Sequence, residues 1–402
     1  MRSILLKGTI ACALVLPCTA ITSAAEPVLV TARAGAVDGT KQNSDEFIWR
    51  LFTQFAAPVV PGQASPVVFE TWASDADTFA SQPQWPQADA PKRLQASVLG
   101  ALNRNQVAPI DVSCSQLVSP PPANPPSTAG GNAAVAGFPI SGPPTPCIAE
   151  EVRRNRPQFD YIVNNQLNTQ AGLAEAFAKS FKVAMPTSAV SVKGDWVPVQ
   201  TLLQWIPAIG NLDKLHTLYY TGTSGGVEYA LVSLHVSSRQ NANWVWGSFE
   251  HQLSPGRCDD LGCYDSFGAT KPVVRPNRAA VNTQYGACNK SAMLSKLMSA
   301  AKLSPVWQNY CMKSTQVDYT APDGTPTALG NSVTERVFGN GTVAASSCIA
   351  CHAYASFGAS GAPTAAATAM LPYNPTGRPI PKVLQGSLQF DFMWGVLLAP
   401  AK

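Results

Sequence analysis

Near its C-terminus the chain contains the pattern Cys348-Ile349-Ala350-Cys351-His352, the most informative stretch of its sequence. Cys-x-x-Cys-His is the attachment signature of a c-type haem. Two thiols at this spacing can bond to the two vinyl groups on one edge of a porphyrin, and the histidine beside the second thiol then supplies an axial imidazole to the iron. The motif therefore predicts one covalent haem c, bound by Cys348 and Cys351, with His352 as an iron ligand.

Two other kinds of site share part of this pattern. A redox-active dithiol at Cys348 and Cys351 would need a thioredoxin-like βαβ context, which the surrounding sequence does not show. A zinc site would need two further ligands at close spacing, and the sequence does not supply them. Haem attachment is the interpretation that the sequence favours.

The first residues of the chain have the features of a secretory signal peptide. Arg2 and Lys7 give a positive start, an apolar run follows over 10–16, and Ser23-Ala24-Ala25 offers small residues for cleavage. We expect residues 1–25 to be removed and the mature protein to be periplasmic, the compartment in which such a haem is attached. No later segment approaches the roughly 18 apolar residues of a membrane span, so no transmembrane anchor is expected. The small net charge of +4 argues against a nucleic-acid partner.

The other cysteines fit an oxidising compartment. Of the ten cysteines, two lie in the signal peptide and two in the haem motif, which leaves six. An even number in an exported protein predicts three disulfides, although sequence alone does not determine their connectivity. We expect pairing between nearest neighbours, namely Cys114–Cys147, Cys258–Cys263 and Cys288–Cys311.

Composition divides the mature chain into three regions. Residues 26–118 form an N-terminal aromatic-rich region, in which 47–55 has apolar residues at helical spacing and predicts an amphipathic helix. Residues 119–147 are rich in Pro, Gly and Ala, cannot bury a core, and predict an extended surface loop. Residues 148–402 are expected to form a β-rich c-type haem domain.

Hydrophobic periodicity within the last region predicts both helices and strands. Helices are expected over 161–182 and 291–303, and strands over 189–197, 216–220, 227–236 and 243–251. The predicted fold class is α+β: an antiparallel β-sheet haem domain with flanking helices and a C-terminal haem-attachment motif, plus an N-terminal helical or irregular extension.

The position of the motif separates two haem architectures. In a small all-helical cytochrome c, the motif lies near the start of the domain and is followed by a methionine ligand and a terminal helix. Here strands precede the motif and only 50 residues follow His352. This order favours a β-sheet domain with the attachment motif at its C-terminal end.

The second architecture brings a family resemblance. The strand Val190-Ser191-Val192-Lys193-Gly194-Asp195-Trp196, the strand 230–236, the segment Trp244-Val245-Trp246-Gly247-Ser248-Phe249, the haem motif and a closing Asp391-Phe392 follow in order. Over about 158–402 the chain resembles the cytochrome c-prime-beta family and its hydroxylamine-oxidising relatives, enlarged by insertions. Over nearly its whole length it also resembles a group of uncharacterised exported bacterial monohaem cytochrome c proteins. They share Trp-x-Trp-x-x-Phe-Glu-His, Trp307-Gln308-Asn309-Tyr310 and Asn331-Ser332-Val333.

The resemblance to the sheet-type family implies a site. It implies His352 as the proximal ligand and an open distal face that binds small nitrogen oxides or oxidises hydroxylamine. In the hydroxylamine oxidisers a lysine is also bonded to the porphyrin, and Lys193 stands in a strand that matches. The insertion between Phe249 and Cys348 departs from the compact family.

The sequence does not determine which group is the sixth ligand of the iron. His251, at the end of the aromatic strand, is the first candidate ligand, and His235, His216, Met370 and Met393 are the others. An open site with water is a further alternative. Two strong ligands would favour electron transfer, whereas an open site permits substrate binding. Glu250, beside His251, is a candidate proton donor or orienting group.

These features predict an exported c-type cytochrome with one haem and a redox role. That role is either electron transfer with a partner protein or oxidoreduction of a small molecule such as hydroxylamine, NO or peroxide, with His251, Glu250 and Lys193 as catalytic candidates. The alternative is a haem-based gas-binding or sensing module without turnover.

Overall fold

The computed structural model describes residues 41–60, 62–63, 66–87, 97–98, 148–224, 226–280, 282–335, 346–370 and 375–401. The predicted signal peptide, the loop 119–147 and the Cys114–Cys147 disulfide lie outside these residues. In the described part of the chain, no helix combines the length and the apolar character needed to cross a bilayer.

The α-helices are short except for the first. Their bounds are α1 Lys41–Phe55, α2 Asp75–Thr78, α3 Arg156–Asn164, α4 Gln170–Ala178, α5 Val199–Trp205, α6 Leu212–Leu218, α7 Ala292–Ala300, α8 Cys348–His352, α9 Ala365–Met370 and α10 Pro381–Leu384. Four 3₁₀ helices complete the helical elements described here, at Val68–Thr71, Pro207–Ile209, Pro305–Asn309 and Trp394–Leu398.

The strands form one large antiparallel sheet and two small two-stranded sheets. Their bounds are β1 Ala73–Ser74, β2 Ser97–Val98, β3 Ala149–Arg154, β4 Val190–Pro198, β5 Thr221–Ser224, β6 Val227–Ser238, β7 Val245–His251, β8 Cys263–Tyr264, β9 Val273–Val274, β10 Tyr310–Gln316, β11 Ser356–Phe357 and β12 Leu388–Gln389. The large sheet runs β1-β3-β4-β6-β7-β10, with β2 beside β3 and β5 beside β6. An antiparallel sheet with flanking helices confirms the predicted α+β class.

The central strands have two different faces. In β6 and β7 the residues Leu234, Val236, Gly247, Phe249 and His251 form what we call the aromatic face. The alternate positions of β4, β6 and β7 form the charged face: Lys193, Asp195, Ser233, His235, Ser248 and Glu250. Because successive side chains of a strand point to opposite sides, this division follows directly from the sequence of each strand.

Helix α1 covers the aromatic face. Its buried residues Phe47, Ile48, Leu51, Phe52 and Phe55 recur at helical spacing, which confirms the amphipathic helix expected over 47–55. A side chain at Gly247 would come within 2.5 Å of the Ile48 side chain, so the helix and β7 approach as closely as a glycine allows. All described residues belong to one compact unit, Ala34–Lys402.

One predicted strand is wrong. Residues 216–220 were expected to pair in a hairpin, but α6 occupies most of this stretch and β5 begins only at Thr221. The side chain of Asn211 caps α6 by accepting a hydrogen bond from Lys214 N at 2.9 Å. Leu215 is fully buried on the helix's inner face. The Asn211 cap and the burial of Leu215 favour a helix here, although residues 216–220 have high β propensity.

Two of the expected disulfides are confirmed. Cys258 is bonded to Cys263, and Cys288 is bonded to Cys311. The second bond ties the end of an irregular segment to β10, the edge strand of the large sheet.

Candidate haem-attachment site

The Cys-x-x-Cys-His motif forms a single helical turn, α8. Ser347 caps this turn through its hydroxyl. Gln316, at the end of β10, donates a hydrogen bond to that hydroxyl at 2.8 Å and accepts one from the backbone of the turn at 3.1 Å. Because residues three and four positions apart share one side of a helix, the turn brings Cys348, Cys351 and His352 to the same side.

Both thiols of the motif are free, whereas the other four cysteines in the described part of the chain are disulfide-bonded. Burial is the largest cause of a raised thiol pKa at both positions, and it raises the pKa of Cys351 to about 12. A redox-active dithiol needs the thiolate form, which a lowered pKa favours. The environment therefore disfavours a redox-active dithiol and suits an uncharged thioether sulfur.

The ring of His352 is held in a defined orientation. Its Nδ1–H donates a hydrogen bond to the carbonyl oxygen of Phe392 at 2.7 Å, and the ring centroid lies 4.6 Å from that of Trp246. Burial lowers the pKa of His352 to about 4, so the imidazole is neutral at pH 7. A neutral imidazole that donates through Nδ1 presents Nε2 as its metal-binding atom. This is the arrangement that an axial haem ligand requires.

The surroundings of α8 are largely apolar. One core cluster contains Cys348 and Ile349 together with the buried residues Trp244, Trp246, Leu329, Phe357, Phe390, Val396 and Leu397. Such a shell limits solvent access and so influences both the stability and the redox potential of a bound haem. The donor set and its apolar shell thus fit haem c.

Charged side chains approach the motif from the sheet. Ligand-type atoms of His235, Glu335 and Cys348 all lie within 4.8 Å of one another. Glu335 Oε1 is 3.5 Å from His235 Nε2, and Asn331 Nδ2 is 3.3 Å from the same nitrogen. Burial alone would lower the pKa of His235, but the charge and hydrogen bond of Glu335 raise it overall. His235 and Glu335 therefore form an acid–base pair beside the Cys348 thiol.

Lys193 and Asp195 extend this cluster along β4. Lys193 is opposite His235 in the sheet register, and its Nζ lies 2.8 Å from Glu150 Oε2. Asp195 is fully buried and accepts hydrogen bonds from Ser233 and Thr334 through Oδ2, while Oδ1 has no hydrogen-bond partner among the described residues. Burial raises the pKa of Asp195 to about 6. The contact with Glu150 makes Lys193 a half-buried, ion-paired residue of the charged face.

Glu250 belongs to the same face but is committed to other partners. Its carboxylate is fully buried and accepts hydrogen bonds from the backbone N–H of Ser332, at 2.9 Å, and from the Ser332 hydroxyl, at 2.5 Å. The ammonium of Lys313 lies 3.2 Å away. Glu250 thus holds the segment that contains Asn331 and Glu335 against the sheet, which is an orienting contact.

The structure does not bring His251 to the motif. His251 is on the aromatic face, fully buried, with its ring stacked on Tyr219 at 3.6 Å. Its Nε2 donates to the Leu218 carbonyl at 3.1 Å, and its Nδ1 accepts from Leu253 N at 3.2 Å. Both ring nitrogens therefore have partners within the core.

The remaining candidate ligands also lie outside the cluster or are bonded elsewhere. His216 is an exposed residue of α6, 2.8 Å from Glu228. The sulfur of Met393 accepts a hydrogen bond from Gln158 Nε2 at 3.0 Å, within the core cluster that packs around α8. Met370 ends α9, and its side chain is outside the described part of the structure.

Sequence reasoning did not select Glu335 or Asp195. Asp195 could have been found, because it is two positions from Lys193 in one strand and must share its face. Glu335 is in an irregular segment that is distant in sequence from both His235 and α8. No local pattern marks it.

Comparison with known proteins adds nothing to this site. No family model matches the chain, and neither the curated proteins nor the solved structures include a match.

Proposed function

We propose that this chain is an exported, periplasmic c-type cytochrome that binds one covalent haem through Cys348 and Cys351, with His352 on the iron, and that it acts in redox chemistry. The observation that supports this most is the hydrogen bond from His352 Nδ1 to the Phe392 carbonyl beside two unpaired thiols. It leaves Nε2 as the metal-binding nitrogen of a motif whose spacing is that of haem attachment. The two disulfides agree with an oxidising compartment.

Within this role we favour oxidoreduction of a small molecule over simple electron transfer. When bound, haem supplies an iron that changes oxidation state and can take up a small ligand. A protein that only transfers electrons has no need of buried acid–base groups beside the cofactor. Here Glu335 and His235 are paired next to Cys348, and perturbed titratable groups of this kind are typical of functional sites.

Each residue of the cluster then has a defined task. Glu335 and His235 hold a proton between them. Lys193 keeps positive charge beside Glu150 and Asp195. The apolar shell of Trp246 and its neighbours excludes water from the attachment side.

The covalent attachment is tested on denatured protein. The chain is expressed with the c-type maturation machinery, and haem is then detected by its absorption and by haem staining after denaturing electrophoresis. We expect the wild type to retain haem and the Cys348→Ser/Cys351→Ser variant to lose it completely. A matched control, Cys258→Ser/Cys263→Ser, removes two cysteines elsewhere and should keep haem. A wild-type chain without haem overturns the proposal.

The kind of redox role is tested on the same holoprotein. A reduced spectrum that shifts with CO or NO, together with steady-state turnover of hydroxylamine or peroxide, supports small-molecule oxidoreduction. Turnover should fall at least tenfold in Glu335→Gln while haem content is unchanged. Ligand binding without turnover indicates a gas-binding module, and a spectrum that CO leaves unchanged indicates electron transfer. Mass analysis of the haem peptide would detect any additional bond to Lys193.

A further inference from the structure

The carbonyl that holds His352 belongs to an unusual turn. Phe390 O accepts a hydrogen bond from Met393 N at 2.9 Å, which closes a four-residue turn. Its two central residues, Asp391 and Phe392, have φ angles of +43° and +68°. Positive φ at both central positions is the pattern of a type I′ turn, which normally has Asn-Gly or Asp-Gly at its centre.

Phenylalanine is a poor residue for the second central position. Its Cβ is crowded in the left-handed region, where glycine meets no such penalty. Strained backbone of this kind persists only when surrounding contacts determine it, and it is concentrated at functional sites. The Phe392 ring packs at 6.3 Å from Trp246, which itself contacts the His352 ring. The turn is therefore strained in its backbone, and this conformation places the Phe392 ring and carbonyl beside the motif.

The Asp391 carboxylate holds this turn from three directions. Its Oδ2 accepts a hydrogen bond from Met185 N at 2.6 Å and from Arg239 Nε at 3.1 Å. Its Oδ1 accepts one from the indole N–H of Trp244 at 3.3 Å. Met185 precedes β4, whereas Arg239 and Trp244 both lie in the connection between β6 and β7, so the carboxylate joins two segments of the chain to the turn.

Trp244 connects the same junction to the other side of His352. It also has a positive φ, +59°, and its backbone N–H is bonded to Asn241 O at 3.1 Å. The chain then enters β7, where Trp246 packs on the imidazole. Asp391 thus ties together the carbonyl that bonds His352 and the strand whose indole contacts it.

We propose that Asp391 is a positioning residue for the axial histidine: it fixes the strained Asp391–Phe392 turn, and through the Phe392 carbonyl it sets the tautomer, orientation and donor strength of the His352 imidazole. This inference rests on the proposed haem function. A hydrogen bond from Nδ1 makes the imidazole a stronger donor to iron, which stabilises the ferric state. Loosening the turn should therefore favour the ferrous state.

The test is the reduction potential of the Asp391→Asn holoprotein. We expect haem to remain attached and the equilibrium constant for reduction to increase about tenfold, which is about 59 mV for a one-electron couple. The matched control is Asp265→Asn. Asp265 is also a buried carboxylate that accepts an indole N–H, from Trp49, and backbone N–H groups, but it lies by the Cys258–Cys263 disulfide. Its replacement should leave the potential unchanged.

Two further measurements keep the outcome decisive. If Asp391→Asn does not accumulate as holoprotein, Arg239→Gln removes a single donor to the carboxylate and should shift the potential in the same direction by a smaller amount. An attached haem with an unchanged potential and an unchanged ferric spectrum in both variants overturns the role of Asp391 but leaves haem binding intact. A wild-type chain that never takes up haem instead removes the proposed function on which the inference rests.

Discussion

The two faces of the large sheet are built from the same strands but make different kinds of contact. On the aromatic face, the Phe249 ring lies 4.9 Å from the rings of both Trp49 and Phe52. On the charged face, the next residue of the same strand, Glu250, is just as deeply buried yet is bonded to Lys313 and Ser332. The aromatic face is held by contacts between aromatic rings, and the charged face is held by ion pairs and hydrogen bonds.

The comparison shows that burial alone does not distinguish core from site. Packed aromatic rings stabilise a fold through apolar area and favourable ring geometry. Buried charges carry a desolvation cost that their pairing often fails to repay in full. A face that contains Lys193, Asp195, His235 and Glu250 is therefore unfavourable for stability alone. The chemistry that we propose at α8 gives these buried charges a function.

His251 and His352 show the same contrast between the aromatic face and the haem-attachment motif. His251 uses both ring nitrogens within the aromatic face and has no capacity left for a ligand. His352 uses only Nδ1, toward Phe392 O, in the hydrogen bonds described. The pattern of hydrogen-bond partners separates the core histidine from the candidate ligand.

Phe249→Ala should give the largest loss of stability among the substitutions that distinguish the two faces. Removing a fully buried ring that contacts Trp49 and Phe52 leaves a cavity, so the free energy of unfolding should fall by about 3–5 kcal/mol. Urea denaturation followed by fluorescence or circular dichroism measures this loss. The haem content and reduction potential of the folded fraction should equal those of the wild type.

The division into faces fails if Phe249→Ala changes the haem potential as much as it changes stability. Phe249→Leu is the milder companion. It keeps most of the apolar volume and should lose about 1 kcal/mol.

The second prediction concerns the charged face, where a substitution should increase the free energy of unfolding. Asp195→Asn keeps acceptors for Ser233 and Thr334 but removes a charge whose pKa burial raises to about 6. Because the folded pKa exceeds the unfolded value, the ionised form is penalised as pH rises through about 6, and the penalty is absent below about pH 4. At pH 7 the variant should be more stable by about 1–2 kcal/mol, a range that allows for the charge that Lys193 loses.

Urea denaturation at pH 7 and at pH 4 checks this sign. The stability gain of Asp195→Asn should disappear at the lower pH. Asp213→Asn, at an exposed position of α6, should change stability by less than about 0.5 kcal/mol at either pH. A destabilised Asp195→Asn protein at pH 7 would show that the charged face contributes to stability, contrary to our interpretation.

Much of the fold could be predicted from hydrophobic periodicity. Strands β4, β6 and β7 and helices α1 and α7 were expected close to their observed positions, because each has one buried side or alternates clearly. Strands β3 and β10 were missed. β3 reads Ala-Glu-Glu-Val-Arg-Arg, and its Glu151 and Arg153 are buried as an ion pair, which no apolar pattern reveals.

The site could be predicted only in part. Spacing along the chain identifies Cys348, Cys351 and His352, because their chemistry is local. His251 was favoured as a ligand because it ends an aromatic strand. Strand parity argues otherwise, since Trp246 packs on His352 and His251 is an odd number of positions away in β7. Glu335 depends on tertiary contacts alone.

The last prediction concerns the pH dependence of stability on the aromatic face. Burial lowers the pKa of His251 to about 3, below its unfolded value, so the unfolded state binds the proton first as pH falls. Stability should therefore decrease on acidification below about pH 6.5, with His251 contributing about 2 kcal/mol of loss between pH 7 and pH 5. In His251→Gln, which keeps a donor and an acceptor, this part of the pH dependence should vanish. Tyr219→Phe retains the histidine and its stacking partner, so it should keep the wild-type slope. Equal slopes in His251→Gln and the wild type would mean that His251 is not the neutral core residue that its partners indicate.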